Sequence, residues 1–188
     1  MAIRIYIDQG HNPTNPNAGA EGNGLREQDI VYRVGQSLAT LLRQSGNYEV
    51  RLSRPTADTQ IGTSNSSSLR LRVEAANSWP ADYFISIHTN ASDLSSASGV
   101  EAYSYARDSA AFELGTDIVN NLADITGLPN RGMKVRPGLY VLKRTAMPAV
   151  LTEIGFITNP GDAALMNSNP ELFARGIYNG IVEFTGLA

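Results

Sequence analysis

Residues 83–88 read YFISIH, and this nearly continuous apolar run is the clearest indication of fold class in the sequence. Such a run is typical of a strand that is buried on both faces of a parallel sheet. Nearer the N-terminus, Ile3, Ile5 and Ile7 alternate with other residues and predict a second strand. Residues 48–52 predict a third strand. We therefore expect a sheet with a buried centre.

Helical patterns separate these predicted strands. Apolar residues recur at helical spacing from Ile30 to Leu42, and Gly46 stands where that helix would stop. Further helices are predicted at residues 69–78, 110–125 and 170–184, and further strands at residues 99–105, 139–142 and 149–152. Strands that alternate with helices indicate an α/β fold: a single domain with a mostly parallel, twisted sheet and helices on both faces.

The composition of the 188-residue chain excludes several classes of protein. There are 15 Lys and Arg against 18 Asp and Glu, a formal charge of -3, so we expect no nucleic-acid partner. The chain has no cysteine, which excludes disulfides and thiolate metal sites. No apolar run approaches the roughly 20 residues of a membrane-spanning helix. Asp8 interrupts the N-terminus before a signal-peptide core forms, so we expect neither membrane insertion nor a signal peptide in this sequence.

The two histidines of the chain both stand at the ends of predicted strands. His11 follows the first strand, His88 ends the buried strand, and Glu153 follows another short apolar strand. Ligands of open α/β sheets bind beyond the carboxyl ends of the strands. If the three strands are parallel, we expect these three side chains to gather at one edge of the sheet. Glu27, at the start of the first long helix, is expected on the same side.

This group of side chains has the composition of a catalytic metal site. Two imidazoles and one carboxylate can hold zinc and leave its fourth position open. Glu153 follows Val150 and Leu151, and a buried carboxylate without a partner is costly, so a metal, a cation or a catalytic role is expected for it. Each residue taken alone also has a structural alternative. A histidine at a strand end can bond to the backbone, and Glu27 can complement a helix dipole.

Five blocks along the chain carry a resemblance to a known family. They are residues 7–11 (IDQGH), Glu27 with Asp29 at the start of a helix, residues 50–54 (VRLSR), residues 86–91 (SIHTNA), and residues 140–142 (YVL) with 147–159 (MPAVLTEIGFITN). The chain resembles the zinc-dependent N-acetylmuramoyl-L-alanine amidases of the amidase-3 type, which are catalytic domains of bacterial and phage cell-wall hydrolases. The blocks stand in the family's order and span nearly the whole chain. Residues 1–188 are therefore expected to form one amidase-3-like catalytic domain.

The resemblance implies roles for individual residues. Matched position by position, it makes His11, Glu27 and His88 the ligands of one Zn²⁺ per chain, and it makes Glu153 the catalytic carboxylate. The implied reaction is hydrolysis of the amide between the lactyl group of N-acetylmuramic acid and L-alanine of the peptidoglycan stem peptide. Glu153 would activate the zinc-bound water. Peptidoglycan is the implied partner, and we expect a monomer that acts in the cell wall, outside the cell or after lysis.

Other parts of the sequence leave alternatives open. Asn90, Arg131 and the polar loop of residues 56–68 are candidates for lining the peptidoglycan groove, while an Asn90 that caps a turn and a solvated Arg131 are equally good explanations. Gln9 and Asn12 depart from the family pattern, so the neighbouring loop is expected to follow an altered path. Two other functions also stay open: a zinc peptidase or carboxypeptidase acting on the stem peptide, and a non-catalytic peptidoglycan-binding module.

Overall fold

Strands and helices alternate along most of the chain in the computed structural model, which describes residues 2–187. In chain order the elements are β1 (Ile3–Gln9), β2 (Glu21–Gly22), β3 (Leu25–Arg26), α1 (Glu27–Gln44), β4 (Tyr48–Leu52), α2 (Asn65–Ser78), β5 (Tyr83–Asn90), β6 (Val100–Ser104), α3 (Ala110–Thr126), β7 (Asn130–Val135), α4 (Tyr140–Arg144), β8 (Ala149–Phe156), α5 (Pro160–Ser168) and α6 (Pro170–Thr185). Among residues 2–187, no helix has the length and apolar character that crossing a membrane requires. The ends of the predicted domain, Met1 and Ala188, lie outside the described residues.

The main sheet has six strands in the order β4-β1-β5-β8-β6-β7. The four strands β4, β1, β5 and β8 are parallel to one another. β6 runs antiparallel to β8, and β7 runs parallel to β6. The prediction of a mostly parallel sheet in an α/β domain is therefore confirmed. Because β1, β5 and β8 are parallel, their carboxyl ends lie at the same edge of the sheet.

The two faces of this sheet carry different helices. On the long-helix face, α1, α3 and α6 pack against the buried strand residues Ile5, Ile7, Ile85, Ile87 and Val150. On the short-helix face, α2 and α4 pack against Tyr6, Phe84, Tyr103 and Leu151. Consecutive residues of a strand point to opposite faces. The short-helix face consequently also carries the polar residues two or more positions further along the same strands, which are Asp8, Ser86, His88 and Glu153.

The prediction of a strand at residues 139–142 is wrong, because this segment enters helix α4. Val141 and Leu142 are both buried in the apolar cluster of the short-helix face. A strand would turn two consecutive side chains to opposite faces, whereas a helical turn lets both reach the same cluster. The single apolar surface available to this segment therefore favours the helix.

Three other differences have local causes. β7 was not predicted, because it is an edge strand paired only with β6 and most of its side chains contact solvent, which removes the apolar pattern. α5 was not predicted either, although Asn159 caps it by accepting two backbone N–H groups of its first turn. α2 begins four residues earlier than predicted, because Ser64 and Ser67 form a reciprocal capping box.

Candidate active site

Three side chains from different elements meet at the carboxyl edge of the main sheet. His11 follows β1 with a left-handed backbone (φ 65°), Glu27 is the first residue of α1, and His88 lies in β5. Nε2 of His11, Nδ1 of His88 and Oε1 of Glu27 form a triangle in which each atom lies 3.1 Å from the other two. The structure thus brings together the three residues that were predicted as metal ligands.

The size of this triangle fits a small tetrahedral metal ion. Zinc bonds nitrogen and oxygen at about 2.0–2.1 Å, which in a tetrahedron separates two ligand atoms by about 3.3 Å. Two imidazoles and one carboxylate are also donors that zinc accepts. His11, Glu27 and His88 therefore form a group that can hold a metal ion.

Glu27 is fixed by both the backbone and the histidines. Its Oε2 accepts a hydrogen bond from the N–H of Ala20 (2.9 Å), and its Oε1 accepts one from the N–H of Thr89 (2.9 Å). Burial by itself raises the pKa of Glu27, but the hydrogen bonds with His11 and His88 outweigh burial and hold the pKa well below its usual range. Glu27 is therefore ionised, which is the form in which a carboxylate binds a metal.

Two glycines leave room for these ligand side chains. A Cβ at Gly10 would lie 2.4 Å from Cε1 of His88, and a Cβ at Gly19 would lie 2.8 Å from Cβ of Glu27. Both separations are shorter than the roughly 3.5–4.0 Å at which carbon atoms make favourable contact. A larger residue at either position would displace a ligand side chain.

A buried arginine that sequence reasoning missed fixes the segment around His11. Arg72 of α2 is 1% exposed, and its Nη1 donates to Oδ1 of Asp8 and to the carbonyl of Gln9, both at 2.6 Å. Its Nη2 donates to the carbonyl of His11. Burial by itself raises the pKa of Asp8, but the adjacent charge of Arg72 outweighs it and lowers the pKa. Arg70 and Arg72 look alike in the sequence, and only the packing of α2 distinguishes them.

Glu153 lies inside β8, which continues to Phe156, rather than just beyond a strand as predicted. It is paired with His88 of β5 and with Glu101 of β6, so the three side chains share the short-helix face. Its Oε2 is buried and has no hydrogen-bond partner among residues 2–187. Burial, reinforced by the negative charges of Glu27 and Glu101, raises the pKa of Glu153 well above its usual value. A carboxyl group with such a pKa is suited to general acid–base chemistry.

The two predicted substrate-binding residues, Asn90 and Arg131, both bind a further acid, Glu101. Nδ2 of Asn90 donates to Oε1 of Glu101 (2.9 Å), and Nε of Arg131 donates to Oε2 (3.0 Å). The hydroxyl of Tyr103 and Nζ of Lys134 also contact this carboxylate. Burial by itself raises the pKa of Glu101, but its hydrogen bonds outweigh burial and lower the pKa. Sequence reasoning missed Glu101, although it is the only charged residue of an otherwise uncharged predicted strand.

The loop of residues 56–68 packs on the loop that follows β1. Nδ2 of Asn12 donates to the carbonyl of Ile61 (3.0 Å), and its Oδ1 accepts the N–H of Ile61 (3.1 Å). Oε1 of Gln9 accepts the N–H of Arg54 (2.9 Å). The two residues that depart from the family pattern thus both attach their segment to the chain after β4. Contact of this loop with a substrate stays a prediction.

The model of the N-acetylmuramoyl-L-alanine amidase family matches residues 5–183 of this chain. The chain belongs to that amidase family. The match includes every residue of the metal-ligand triangle as well as Glu153. The resemblance inferred from the sequence blocks is therefore confirmed.

Two named amidases and a phage endolysin align with this family member over most of its length. N-acetylmuramoyl-L-alanine amidase CwlM of Bacillus licheniformis is 37% identical over 190 residues, covering 99% of this chain and 70% of CwlM. The sporulation-specific N-acetylmuramoyl-L-alanine amidase of Bacillus subtilis (strain 168) is 35% identical, covering 96% of this chain and 68% of that protein. The endolysin of Bacillus phage SPP1 is 33% identical, covering 100% of this chain and 68% of the endolysin.

Solved amidase structures share the fold. The CwlD amidase from Clostridioides difficile, solved in complex with the GerS lipoprotein, superposes with a TM-score of 0.90 at 27% identity, covering 99% of this chain and 100% of CwlD. The N-acetylmuramoyl-L-alanine amidase from Clostridium difficile 630 superposes with a TM-score of 0.88 at 28% identity, covering 98% of this chain and 97% of that one. These similarities confirm the fold class.

A cavity of about 140 Å³ adjoins the metal-ligand triangle of this amidase-family chain. His11 and His88 form one side of it. Leu69 of α2, together with Leu139 and Tyr140 at the start of α4, forms another. The cavity therefore has an apolar side formed by α2 and the start of α4, while Asp8 and Arg72 add charged groups to its lining.

Proposed function

We propose that this chain is a zinc-dependent N-acetylmuramoyl-L-alanine amidase, which hydrolyses the amide between the lactyl group of N-acetylmuramic acid and L-alanine of the peptidoglycan stem peptide. The observation that carries the proposal is the 3.1 Å triangle of His11, Glu27 and His88, with Glu153 paired to His88 across the sheet. Relatives in Bacillus licheniformis and Bacillus subtilis bear the name of this activity, which supports the choice of bond.

His11, Glu27 and His88 would hold one Zn²⁺ per chain. When bound there, zinc supplies a Lewis acid for the scissile carbonyl and lowers the pKa of a water molecule. Glu27 is kept ionised and oriented by the N–H groups of Ala20 and Thr89. Because these N–H donors fix the orientation of the Glu27 carboxylate, it is already positioned to bind the ion.

Glu153 acts as the general base and then as the general acid. Its carboxylate takes a proton from the attacking water at Oε2, the oxygen that has no protein partner among the described residues. The water oxygen bonds to the carbonyl carbon, the carbon–nitrogen bond breaks, and Glu153 returns the proton to the amine of L-alanine. Burial raises the pKa of Glu153, which favours the protonated form that the group takes between the two steps.

Peptidoglycan is accordingly the proposed substrate, and the cell wall is the proposed place of action, reached outside the cell or after lysis. Relatives with the printed names of a sporulation-specific amidase and an endolysin support a role in wall degradation. We propose a monomer, because the three ligands and Glu153 all come from one chain.

Digestion of purified peptidoglycan followed by mass spectrometry tests the proposal. The zinc-loaded protein is expected to release intact stem peptides with L-alanine at the N-terminus. Glu153→Gln is expected to lower the rate about 10²–10⁴-fold. Glu171→Gln, a matched change at an exposed position on α6, is expected to leave it unchanged. Stem peptides shortened at the other end would instead indicate a peptidase, and equal rates for the two variants would reject Glu153 as the base.

A further inference from the structure

Three cations lie beside the proposed catalytic group, along the free edge of the sheet. Arg131 and Lys134 belong to β7, and Arg136 directly follows it. β7 pairs with β6, and β6 pairs with β8 through Glu101 and Glu153. Since neighbouring strands are about 4.8 Å apart, β7 lies two strand spacings, about 10 Å, from β8. Arg131 and Lys134 reach the carboxylate of Glu101 on the strand between them. We call Arg131, Lys134 and Arg136 the cationic strip.

A buried acid binds two of the three cations of the cationic strip. Glu101 is 3% exposed and binds Nε of Arg131 (3.0 Å) as well as Nζ of Lys134. The guanidinium of Arg131 also lies 5.0 Å from the centre of the Phe156 ring. That of Arg136 lies 5.0 Å from the ring centre of Tyr103. Side chains that are already held in place lose less conformational freedom when they bind a ligand.

The charges of the strip are only partly balanced by the protein. Glu101 supplies one negative charge for two cations, and no acid among residues 2–187 forms a salt bridge with Arg136. The side chains of Arg131 and Lys134 stay 41% and 42% exposed. An excess of positive charge therefore meets solvent beside the metal-ligand triangle, in a chain whose formal charge is -3. A strip of this kind attracts anions.

The geometry points to a carboxylate of the substrate as the ligand, and this inference rests on the proposed function. We propose that the cationic strip binds the free α-carboxylate of the residue that follows L-alanine in the stem peptide. An extended chain advances about 3.3–3.6 Å per residue, so a carboxylate on the second residue of the stem peptide lies about 7 Å from the scissile amide. The long side chains of the strip can extend back toward Glu153 over the remaining distance. The guanidinium groups can bond a carboxylate with paired N–H donors. A carboxamide at the same place carries no charge, so the enzyme would prefer acidic stem peptides to amidated ones.

Two synthetic muramyl peptides that differ only at this group test the inference. One carries D-isoglutamate after L-alanine, and the other carries D-isoglutamine. The zinc-loaded wild type is expected to cleave the acid with a kcat/KM about tenfold higher. Arg136→Gln is expected to bring the ratio close to one, because the effect of Arg136 on the pKa of Glu153 is common to both peptides and cancels in the ratio. Arg136→Lys is expected to restore part of the ratio. Arg175→Gln, which changes an arginine on α6, is the control and is expected to keep the full ratio.

Equilibrium binding separates this inference from the proposed function. Titration calorimetry of the zinc-loaded Glu153→Gln variant with the two peptides is expected to give tighter binding of the acid, and Arg136→Gln in that background is expected to remove the difference. Cleavage of both peptides at equal rates would overturn the carboxylate site while leaving the amidase intact. Preferential binding of the acid without any cleavage by the wild type would overturn the amidase while leaving the site. Equal affinities in calorimetry would overturn the site whatever the activity.

Discussion

The two faces of β5 differ in chemistry from one residue to the next. Ile85 and Ile87 point to the long-helix face and are completely buried among apolar side chains. Ser86 and His88 point to the short-helix face and contact acidic side chains. Consecutive side chains of a strand point to opposite faces of the sheet. Neighbouring residues of β5 therefore belong in turn to the apolar core and to the candidate site. Stability can therefore be altered on the long-helix face without altering the chemistry of the candidate site.

The two faces are also stabilised in different ways. On the long-helix face, buried apolar area stabilises the fold at about 25 cal/mol per Å². Near the carboxyl edge of the short-helix face, polar groups are buried, and each is tolerated only while it has a partner. Asp8, for example, is 1% exposed and depends on Arg72 and Ser86. Apolar burial, most of it on the long-helix face, thus supplies the stability that the candidate site requires.

The largest loss of stability is expected where a buried charge on the short-helix face loses its partner. Arg72→Met leaves the buried charge of Asp8 without a cation and removes the donor to the carbonyl of His11, which should cost about 3–5 kcal/mol. Zinc affinity should fall as well, because the loop that carries His11 loses an anchor. The matched control is Arg70→Met on the same helix, whose exposed ion pair with Glu74 is worth about 0–1 kcal/mol. Urea unfolding measures both, and equal destabilisation by the two variants would contradict this assignment.

A large but purely structural loss is expected on the long-helix face. Ile85→Ala removes a completely buried side chain from the core and should lower the free energy of unfolding by about 2–5 kcal/mol. Zinc content and turnover per folded molecule should stay unchanged, since Ile85 points away from the triangle. Leu71→Ala, at a side chain that is 37% exposed, provides the comparison and should have a much smaller effect on stability. Loss of zinc from folded Ile85→Ala would show that the two faces are not independent.

A smaller effect is expected from pH, and its sign follows from the raised pKa of Glu153. In the metal-free protein, folding favours the protonated carboxyl, so its contribution to stability is complete below its ordinary pKa of 4.5 and is lost as pH rises through the raised value. Glu153→Gln is neutral at every pH and should gain a few degrees in Tm over the wild type, more at about pH 8 than at about pH 5. Thermal unfolding in the presence of a chelator measures this gain. A gain that does not change with pH would mean that Glu153 has an ordinary pKa.

The sequence allowed the position of the site to be predicted, because parallel strands end at one edge. That rule placed His11, His88 and Glu153 together on the single condition that their strands are parallel, and the structure meets this condition. Arg72 and Glu101 could not be placed in the same way. The first depends on how α2 packs on β1, and the second on the register of β6 with β8, neither of which leaves a local pattern.

The same reasoning explains the errors in the predicted fold. At residues 139–142 an apolar run of four fits both a strand and a helical turn, and only the cluster beneath α4 decides between them. The polar edge strand β7 has no apolar alternation to detect, yet it carries two of the three cations of the strip. A local pattern therefore predicts least well the elements whose conformation depends on tertiary packing and those that lack an apolar repeat.

Zinc analysis of dialysed protein tests the central claim most directly. The wild type and Glu153→Gln are expected to retain one zinc ion per chain, while His88→Ala is expected to retain almost none and still to show the circular dichroism of the folded protein. Glu153→Gln serves as the matched control because it pairs with His88 across the sheet without belonging to the triangle. A folded His88→Ala that keeps one equivalent of zinc would contradict the account, and so would a Glu153→Gln that loses it.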